Sequence, residues 1–372
     1  MIRSADAVKT VGLAFLLHTA AVFAAVLLAD RLPPHPITGF LNPTLPASYP
    51  VVEKLIRWDA HWYTYMAEYG YTAQTIVFFP AIVILIRAFT YLGLNYALAG
   101  FAVANIFTAV SYCLLYRLAR LDCSEEKARR VLLAFAIMPT SFFLNSIYTE
   151  AVFLAFALAC AWSARRGRWW WAGLFAALAT LTRNIGILLV GFILLEIWQQ
   201  RQRLAAFSTL SLLAAPAALI AFMGFNRYLT GDPLAFVHAQ QRWGRIYGLP
   251  WHNIRNNIDL VVHKWAEIEP GVILDLGLVA VALLALLILT FSSRFQIRFS
   301  YLAIGWLWLV IPLFSTSPPF PLYSLARFVL VVFPLYFFIA QLPRPLFYTY
   351  LLGGTLLLMY CTALFANWYW IG

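Results

Sequence analysis

Repeated apolar runs, each close to the length that crosses a lipid bilayer, dominate this sequence of 372 residues. Hydrophobic residues make up 63% of the chain and charged residues only 11%. A helix that crosses a hydrocarbon core needs about 20 predominantly apolar residues. The alternating segments of about ten residues that are typical of a membrane β-barrel are missing. We therefore predict an all-α polytopic membrane protein, in which residues 1–372 form a single transmembrane domain.

About eleven transmembrane helices are predicted from these runs. They cover roughly residues 10–29, 97–118, 131–147, 151–164, 169–182, 185–198, 207–228, 272–291, 300–314, 325–341 and 346–366. Arginine and lysine cluster before the first span and in alternate loops, which favours a cytoplasmic position for those loops. With this orientation, residues 30–96 and 230–271 form two long external loops. Residues 76–92 must then lie in the interface or re-enter the membrane, because a full crossing would place the basic loop at 117–130 outside.

Four predicted spans between residues 131 and 198 are short for a complete crossing and form two hairpins. The external tips of these hairpins carry Glu150 and Arg183. Short helices leave a recess that lipid and water can enter, and such a recess tolerates charge inside a membrane. The alternative is that each hairpin is one long tilted helix, which buries both charges near the midplane at high cost unless they pair.

The polar motif Arg57-Trp58-Asp59-Ala60-His61-Trp62 follows the first span in the predicted external loop. Asp59 is the candidate catalytic residue, because a carboxylate can accept a proton from a hydroxyl group. Trp58 and His61 are candidate substrate-binding residues, since aromatic faces suit sugar rings. The alternative is a solvated aspartate within an interfacial belt of aromatic residues, which membrane proteins contain whatever their function.

Three lone charges, Glu150, Arg183 and Arg327, stand beside apolar helices at predicted external boundaries. An unpaired charge in such a place is costly, so each is expected to pair or to contact a charged ligand. Arginine suits phosphate because its planar group donates two parallel hydrogen bonds and stays protonated. Arg183 and Arg327 are therefore candidates for binding a phosphate. The alternatives are a purely structural Glu150–Arg183 pair and an Arg327 that reaches toward the interface.

A second polar cluster begins at Thr230-Gly231-Asp232-Pro233 and continues through residues 238–251. The Gly-Asp-Pro sequence predicts a turn, followed by a short amphipathic helix on the membrane surface. Further candidate substrate-binding residues are Glu150, Asn184, Asp232, Gln241, Arg242 and Trp243. For each residue of the second cluster, the alternative is a structural turn that leads into an interfacial helix.

Several classes of function lack support in the sequence. No zinc-ligand spacing, phosphate-binding glycine loop or Walker motif is present, and Asp-x-Asp is absent. We expect no metal or other cofactor. The net charge of +11 is assigned to cytoplasmic anchors and to arginines that face lipid phosphates, since no nucleic-acid motif accompanies it. The four cysteines show no disulfide framework.

An ordered series of short motifs resembles the PIG-V family of mannosyltransferases, which belongs to the GT-C class of membrane glycosyltransferases. The motifs are Arg57–Trp62, Glu68-Tyr69-Gly70-Tyr71, Phe78-Phe79-Pro80, Pro139–Phe143, Tyr148–Ala151, Leu181–Gly186, Thr230–Phe236, Gln240–Trp243 and Ala326-Arg327-Phe328. Each is weak alone, and their order makes the resemblance specific. The family usually has another proline shortly after Phe-Phe-Pro, whereas Ala81-Ile82-Val83-Ile84 follows here.

The resemblance implies a GT-C fold and an inverting transfer of mannose. The implied donor is polyprenyl-phosphate mannose and the implied acceptor is a hydroxyl group of a glycolipid or glycan, with membrane lipids as further partners. Asp59 would be the general base, and Arg183 and Arg327 would bind the donor phosphate. The compact chain suggests a bacterial or archaeal member, hence a plasma-membrane protein with its site on the non-cytoplasmic side; a eukaryotic member would lie in the endoplasmic reticulum membrane.

Two other functions fit the same residues. A flippase or transporter of lipid-linked sugars would use the same recess without a general base. A non-catalytic partner subunit would keep the fold and lack activity of its own.

Overall fold

The computed structural model describes residues 4–37, 39–43, 45, 50–201 and 209–372. The α-helices of this part of the chain are α1 (Ser4–Leu28), α2 (Pro50–Glu53), α3 (Asp59–Tyr69), α4 (Ala81–Thr90), α5 (Tyr96–Asp122), α6 (Glu125–Ala136), α7 (Thr149–Arg165), α8 (Trp169–Thr180), α9 (Leu189–Gln199), α10 (Ala214–Thr230), α11 (Ala235–His238), α12 (Pro250–His263), α13 (Pro270–Phe291), α14 (Phe299–Val310), α15 (Leu325–Val331), α16 (Pro334–Ala340) and α17 (Arg344–Ala366). Short 3₁₀ helices cover Ala29–Arg31, Thr75–Val77, Ser141–Leu144, Asn184–Leu188, Leu210–Leu213, Ala239–Trp243 and Pro312–Phe314.

Five helical stretches are long and apolar enough to cross a bilayer. They are Asp6–Arg31, Tyr96–Asp122, Leu210–Thr230, Pro270–Phe291 and Arg344–Ala366. Each coincides with a predicted span. The protein is thus a mostly helical polytopic membrane protein, as predicted, whereas the count of eleven spans is not confirmed.

Prolines interrupt two of the other predicted spans. The predicted helix 131–147 is wrong as a single helix, because α6 ends at Ala136, before Pro139, and a 3₁₀ turn follows. The predicted helix 325–341 is also wrong as a single helix, because α15 ends at Val331 and α16 begins at Pro334. Proline lacks the N–H group that a continuous helix needs and disfavours helical backbone in the preceding residue.

The two predicted hairpins contain separate short helices. α8 has 12 residues, hence a length of about 18 Å, and the chain leaves it for a turn and a 3₁₀ segment before α9 begins. α7 begins only at Thr149, after the turns that follow α6. The alternative of one long tilted helix per hairpin is therefore wrong.

The segment Phe78-Phe79-Pro80 leads into a short helix within the predicted external loop 30–96. α4 has 10 residues, or about 15 Å, which is about half of the hydrocarbon thickness. It packs against α3 and α5. The helix starts directly after Pro80, at the position where the family pattern differs, and it is too short to cross a bilayer alone.

Two small strands are an exception to the predicted all-α fold. β1 (Ile246–Tyr247) pairs with β2 (Ser315–Thr316) in antiparallel orientation, with Ile246 opposite Thr316. This pair ties the loop after α11 to the loop that precedes α15. Two loops that are distant in sequence therefore meet at the candidate site.

The predicted cytoplasmic loops meet at one end of the helices. Arg165 binds Asp122 with both terminal nitrogens, at 2.6 and 2.8 Å. Arg298 binds Glu196, and Arg130 donates to the carbonyl oxygen of Leu342. These contacts bring together the ends of helices that the charge pattern assigns to one side, whereas the direction of that side relative to the cytoplasm stays a prediction.

Candidate active site

Asp59 is the first residue of α3, so its carboxylate lies at the positive end of a helix dipole. The preceding residue, Trp58, has a φ angle of 54°. A bulky side chain rarely adopts this left-handed conformation, and such outliers persist only where their surroundings hold them. The turn before Asp59 is therefore fixed by packing rather than by local preference.

Arg57 fixes this turn through contacts of its side chain and of its carbonyl oxygen. Its Nε donates to the carbonyl oxygen of Ala366 at 3.0 Å, and its guanidinium carbon lies 4.7 Å from the ring centroid of Trp368. The carbonyl oxygen of Arg57 accepts a hydrogen bond from the Tyr148 hydroxyl at 3.0 Å. Burial, partly offset by the charge of Glu53, lowers the pKa of Arg57 to about 10. Arg57 therefore anchors the start of α3 to the end of α17.

Asp59 is the first member of a chain of four charged side chains. Arg327 donates from Nη1 to Asp59 Oδ2 at 2.9 Å and from Nε to Glu150 Oε1 at 2.9 Å. Arg183 donates from Nη1 to the same Glu150 oxygen at 2.7 Å. We call these four residues the charge chain. Glu150, Arg183 and Arg327, which the sequence presents as lone charges, therefore each pair with another charged side chain.

Burial differs along the charge chain. The Glu150 side chain is fully buried, those of Arg327 and Arg183 are 6% and 10% exposed, and that of Asp59 is 22% exposed. Breaking a buried ion pair costs about 3–5 kcal/mol, because a charge stays behind without compensation. Glu150 therefore pairs with the two arginines inside the protein, while the Asp59 side chain is partly exposed.

A tight turn places Arg183. The residue has extended backbone between α8 and the 3₁₀ helix Asn184–Leu188. A Cβ atom on Gly186 would lie 2.5 Å from the carbonyl carbon of Ala179, so only glycine allows this turn to pack on the end of α8. The Leu181–Gly186 motif thus has a steric basis in its last residue.

Asp275 places Arg327. Its Oδ1 accepts a hydrogen bond from the backbone N–H of Ala326 at 2.6 Å, although Asp275 lies within the apolar helix α13. Ser324, at the start of α15, has a φ angle of 60°. A buried carboxyl group thus satisfies an N–H group at the beginning of the helix that carries Arg327, where no intrahelical partner exists.

The charge chain forms one wall of a cavity of about 580 Å³. This volume lies within the usual range of small-molecule sites. Its polar side includes Asp59, Arg183 and Arg327. The rest of the lining is largely apolar and aromatic: Val77, Phe78, Phe79, Phe236, Val237, Ile246, Ile311, Pro312, Phe314 and Phe328. The cavity therefore offers charge and hydrocarbon contact side by side.

The predicted site residues are distributed in three ways. Asp59, Arg183, Arg327, Asn184, Gln241 and Trp243 line the cavity. Trp243 also donates from its indole nitrogen to the carbonyl oxygen of Gln74 at 3.0 Å. Glu150 lies behind the arginines. The remaining predictions, Trp58, His61, Asp232 and Arg242, lie outside the cavity lining.

Trp58 and His61 pack against the C-terminal segment. The Trp58 ring contacts those of Trp368 and Trp370, and the His61 ring stacks on Trp368 with a centroid distance of 5.5 Å. The backbone N–H of Asn42 donates to His61 Nδ1 at 3.1 Å. Burial, with a smaller contribution from the charge of Arg57, lowers the pKa of His61 to about 4. His61 is therefore neutral at physiological pH.

Asp232 and Arg242 lie on the protein surface. Asp232 accepts from the backbone N–H of Leu234 and contacts His238 Nδ1 at 2.6 Å. The hydrogen bond from His238 is the main cause that lowers the pKa of Asp232. Gly231 ends α10 with a φ angle of 82°, as the Gly-Asp-Pro turn requires. Both side chains would need a movement of their loop to reach a ligand in the cavity.

Several residues that line the cavity were not among the predicted site residues, and they include Arg245, Tyr323, Ser324 and Trp370. Arg245 carried a usable signal, because Gly244-Arg245-Ile246-Tyr247 contains a lone charge in apolar surroundings. The same argument had selected Arg183 and Arg327. Trp370 carried no such signal, since it is one of 14 tryptophans.

In the part of the chain that the structure describes, no three side chains of His, Cys, Asp or Glu are grouped as metal ligands. The cations near Asp59 are arginines. Independence from metal ions stays a prediction that a chelator can test.

A family model described as "Mannosyltransferase (PIG-V)" matches residues 47–226. The predicted resemblance to the PIG-V family is confirmed. The matched segment contains Asp59, Glu150 and Arg183, whereas Arg327 lies beyond its end.

Curated relatives match over a similar region. The chain is 32% identical over 183 aligned positions to "GPI alpha-1,6-mannosyltransferase 2" of Cricetulus griseus, covering 44% of this chain and 37% of the relative. The protein of the same name from Mus musculus is 29% identical over 232 positions, covering 53% of this chain and 47% of the relative. The one from Homo sapiens is 30% identical over 183 positions. This chain thus covers less than half of the length of these relatives. No solved structure matches it.

Proposed function

We propose that this protein is an inverting mannosyltransferase that moves mannose from a polyprenyl-phosphate donor to a hydroxyl group of a lipid or glycan acceptor. The observation that carries the proposal is the charge chain at the edge of a largely apolar cavity, within a chain that resembles PIG-V mannosyltransferases. A lipid-linked sugar phosphate has the matching parts: an anion, a sugar and a hydrocarbon chain.

Asp59 is the proposed general base. As the acceptor oxygen forms its bond to C1 of mannose, Asp59 takes the hydroxyl proton. The bond between C1 and the phosphate oxygen breaks, and its electron pair leaves with the polyprenyl phosphate. Attack on the face opposite the leaving group converts a β-linked donor into an α-linked product in one displacement.

Arg327 lies between the proposed base, Asp59, and the proposed site of the phosphate leaving group. It contacts Asp59 through Nη1 and Glu150 through Nε, so its guanidinium plane is fixed between two carboxylates. A cation held in advance near the developing phosphate charge stabilises a transition state without reorganisation. Arg183, which Glu150 holds in the same way, is the second candidate for contact with the phosphate. The proposed site lies on the non-cytoplasmic side, by the charge pattern of the loops.

Transfer of labelled mannose from polyprenyl-phosphate mannose to lipid extracts and simple mannosides tests the proposal. Purified wild-type protein is compared with Asp59→Asn, each with and without a chelator. We expect chelator-resistant product from the wild type, and a loss of at least about 100-fold in Asp59→Asn, since general bases contribute about 10²–10⁴-fold.

The substitution of Asp59 keeps the size of the side chain, so a folded variant is expected, and its elution in gel filtration is the control. A folded Asp59→Asn protein with full activity would refute Asp59 as the base. Movement of lipid-linked sugar across vesicles without a glycosidic product would instead support a flippase. Activity that requires a second protein would support a partner subunit.

A further inference from the structure

The charge chain has no net charge. Asp59 and Glu150 contribute two negative charges, and Arg183 and Arg327 contribute two positive charges, all joined by hydrogen bonds. A phosphate that enters beside these four residues therefore meets two cations that are already compensated. A further positive charge in the cavity would make the site complementary to an anion.

Arg245 provides such a charge. It lines the cavity, and within the described part of the chain it forms no ion pair with a carboxylate. Its guanidinium carbon lies 4.3 Å from the ring centroid of Tyr323, which also lines the cavity. Tyr323 also accepts a hydrogen bond from Arg245, and the planar guanidinium has further N–H groups that can donate to a ligand.

The backbone around Arg245 is fixed from both sides. Its N–H donates to the carbonyl oxygen of Gln240 at 3.0 Å, and Gly244 has a φ angle of 70°. The next residues form β1, which pairs with β2. The loop that carries Arg245 is therefore tied to the loop that leads to Tyr323 and Arg327.

Burial makes it energetically unfavourable for Arg245 to have no anion as a partner. Burial is the main influence and lowers the pKa of this guanidinium, while Tyr323 and the charge of Asp59 raise it. Arginine nevertheless stays protonated in proteins. A partly buried cation that has no carboxylate partner gains more from a charged ligand than an exposed one does.

We propose that Arg245 binds the phosphate group of the lipid-linked donor and of the polyprenyl phosphate that leaves. This inference rests on the proposed function for the identity of the ligand. Cleavage of the sugar converts a phosphodiester with one negative charge into a phosphate monoester that can carry a second. Arg245 compensates this added charge, and Arg327 keeps its contact with Asp59.

Farnesyl phosphate and farnesol test the proposal, because the two probes differ only in the phosphate. Binding is measured in detergent micelles by quenching of tryptophan fluorescence, since Trp243 and Trp370 line the cavity. The variants are Arg245→Gln, which removes the charge, and Arg245→Lys, which keeps it. Arg255→Gln is the matched control, because Arg255 lies on α12 with a side chain that is 79% exposed.

We expect Arg245→Gln to weaken binding of farnesyl phosphate about 10- to 100-fold, the size expected for hydrogen bonds to a charged group. Arg245→Lys should recover part of the loss, and Arg255→Gln should bind like the wild type. Binding of farnesol should be equal in all four proteins, which shows that each variant is folded. In mannose transfer, Arg245→Gln should raise the KM for the donor and lower kcat/KM.

The outcomes separate the two proposals. Equal binding of farnesyl phosphate by Arg245→Gln and wild type would overturn the role of Arg245, even if the wild type transfers mannose. Binding that depends on Arg245 without mannose transfer by the wild type would support the phosphate site and count against the transferase. A parallel loss of farnesol binding in Arg245→Gln would show that the residue is structural and would also overturn the proposal.

Discussion

Glu150 offers the sharpest test of the charge chain, because one of its oxygens accepts hydrogen bonds from both arginines. Oε1 lies 2.7 Å from Arg183 Nη1 and 2.9 Å from Arg327 Nε, and the side chain is fully buried. Glu150→Gln keeps the shape and removes the charge. Arg183 then loses its carboxylate partner and lies beside a second cation.

The expected cost follows from this geometry. Each hydrogen bond to a charged group contributes about 1.5–3 kcal/mol, and breaking a buried pair costs about 3–5 kcal/mol in total. Glu150→Gln should therefore lower the free energy of unfolding by about 3–5 kcal/mol, measured by reversible unfolding in mixed detergent micelles. Mannose transfer per folded molecule should also decrease, because both arginines lose their fixed orientation.

Glu196 provides a matched control at the opposite end of the molecule. Its side chain is also fully buried and accepts from Arg298 Nε at 2.7 Å and Nη2 at 2.9 Å. Glu196→Gln should lose comparable stability and keep its transfer rate per folded molecule. The reasoning fails if Glu150→Gln is as stable as the wild type, or if both variants lose transfer to the same extent.

Three further predictions concern the surroundings of the site. The pKa of His61 is lowered from 6.5 to about 4, so between these pH values only the unfolded chain binds this proton. The free energy of unfolding should therefore decrease as the pH falls from 6.5 to 4, by about 3 kcal/mol in total. Unfolding of His61→Asn, measured as a function of pH, should lack this contribution. Asp275→Leu leaves the N–H of Ala326 without its acceptor and should cost about 1–3 kcal/mol and reduce kcat, whereas Asp275→Asn, which keeps an acceptor, should lose less in unfolding and transfer assays. Gly186→Ala should cost about 1–3 kcal/mol and reduce transfer because its Cβ meets the backbone of α8, while thermal unfolding of Gly277→Ala, whose Cβ would meet nothing within 4 Å, should match the wild type.

The long apolar helices could be predicted from the sequence, and the shorter ones only in part. A run of apolar residues indicates that a segment is removed from water, but it does not indicate whether the segment forms one helix or two. At Pro139 and Pro334 the apolar run continues although the helix stops. The proline rule was sufficient to predict both breaks, and hydropathy alone was not.

The candidate site shows a similar division. The high cost of lone charges in apolar surroundings selected Glu150, Arg183 and Arg327, which the structure joins to Asp59. Their contacts link residues that are up to 268 positions apart. Local sequence patterns cannot predict which of such distant residues meet. Composition also could not separate Trp58, which packs against other tryptophans, from Trp243, which faces the cavity.

The position of Arg327 has a consequence for biosynthesis. A membrane protein is inserted as it is made, from its N-terminal end, and its domains generally form in that order. Glu150 meets Arg183 after only 33 more residues, whereas Asp59 waits for a partner 268 residues later. Early in synthesis the Asp59 carboxylate therefore lacks its arginine partner, and the charge chain is complete only after Arg327 has been made. A chain that ends before Arg327 would keep Asp59, Glu150 and Arg183 and hence one negative charge without a partner.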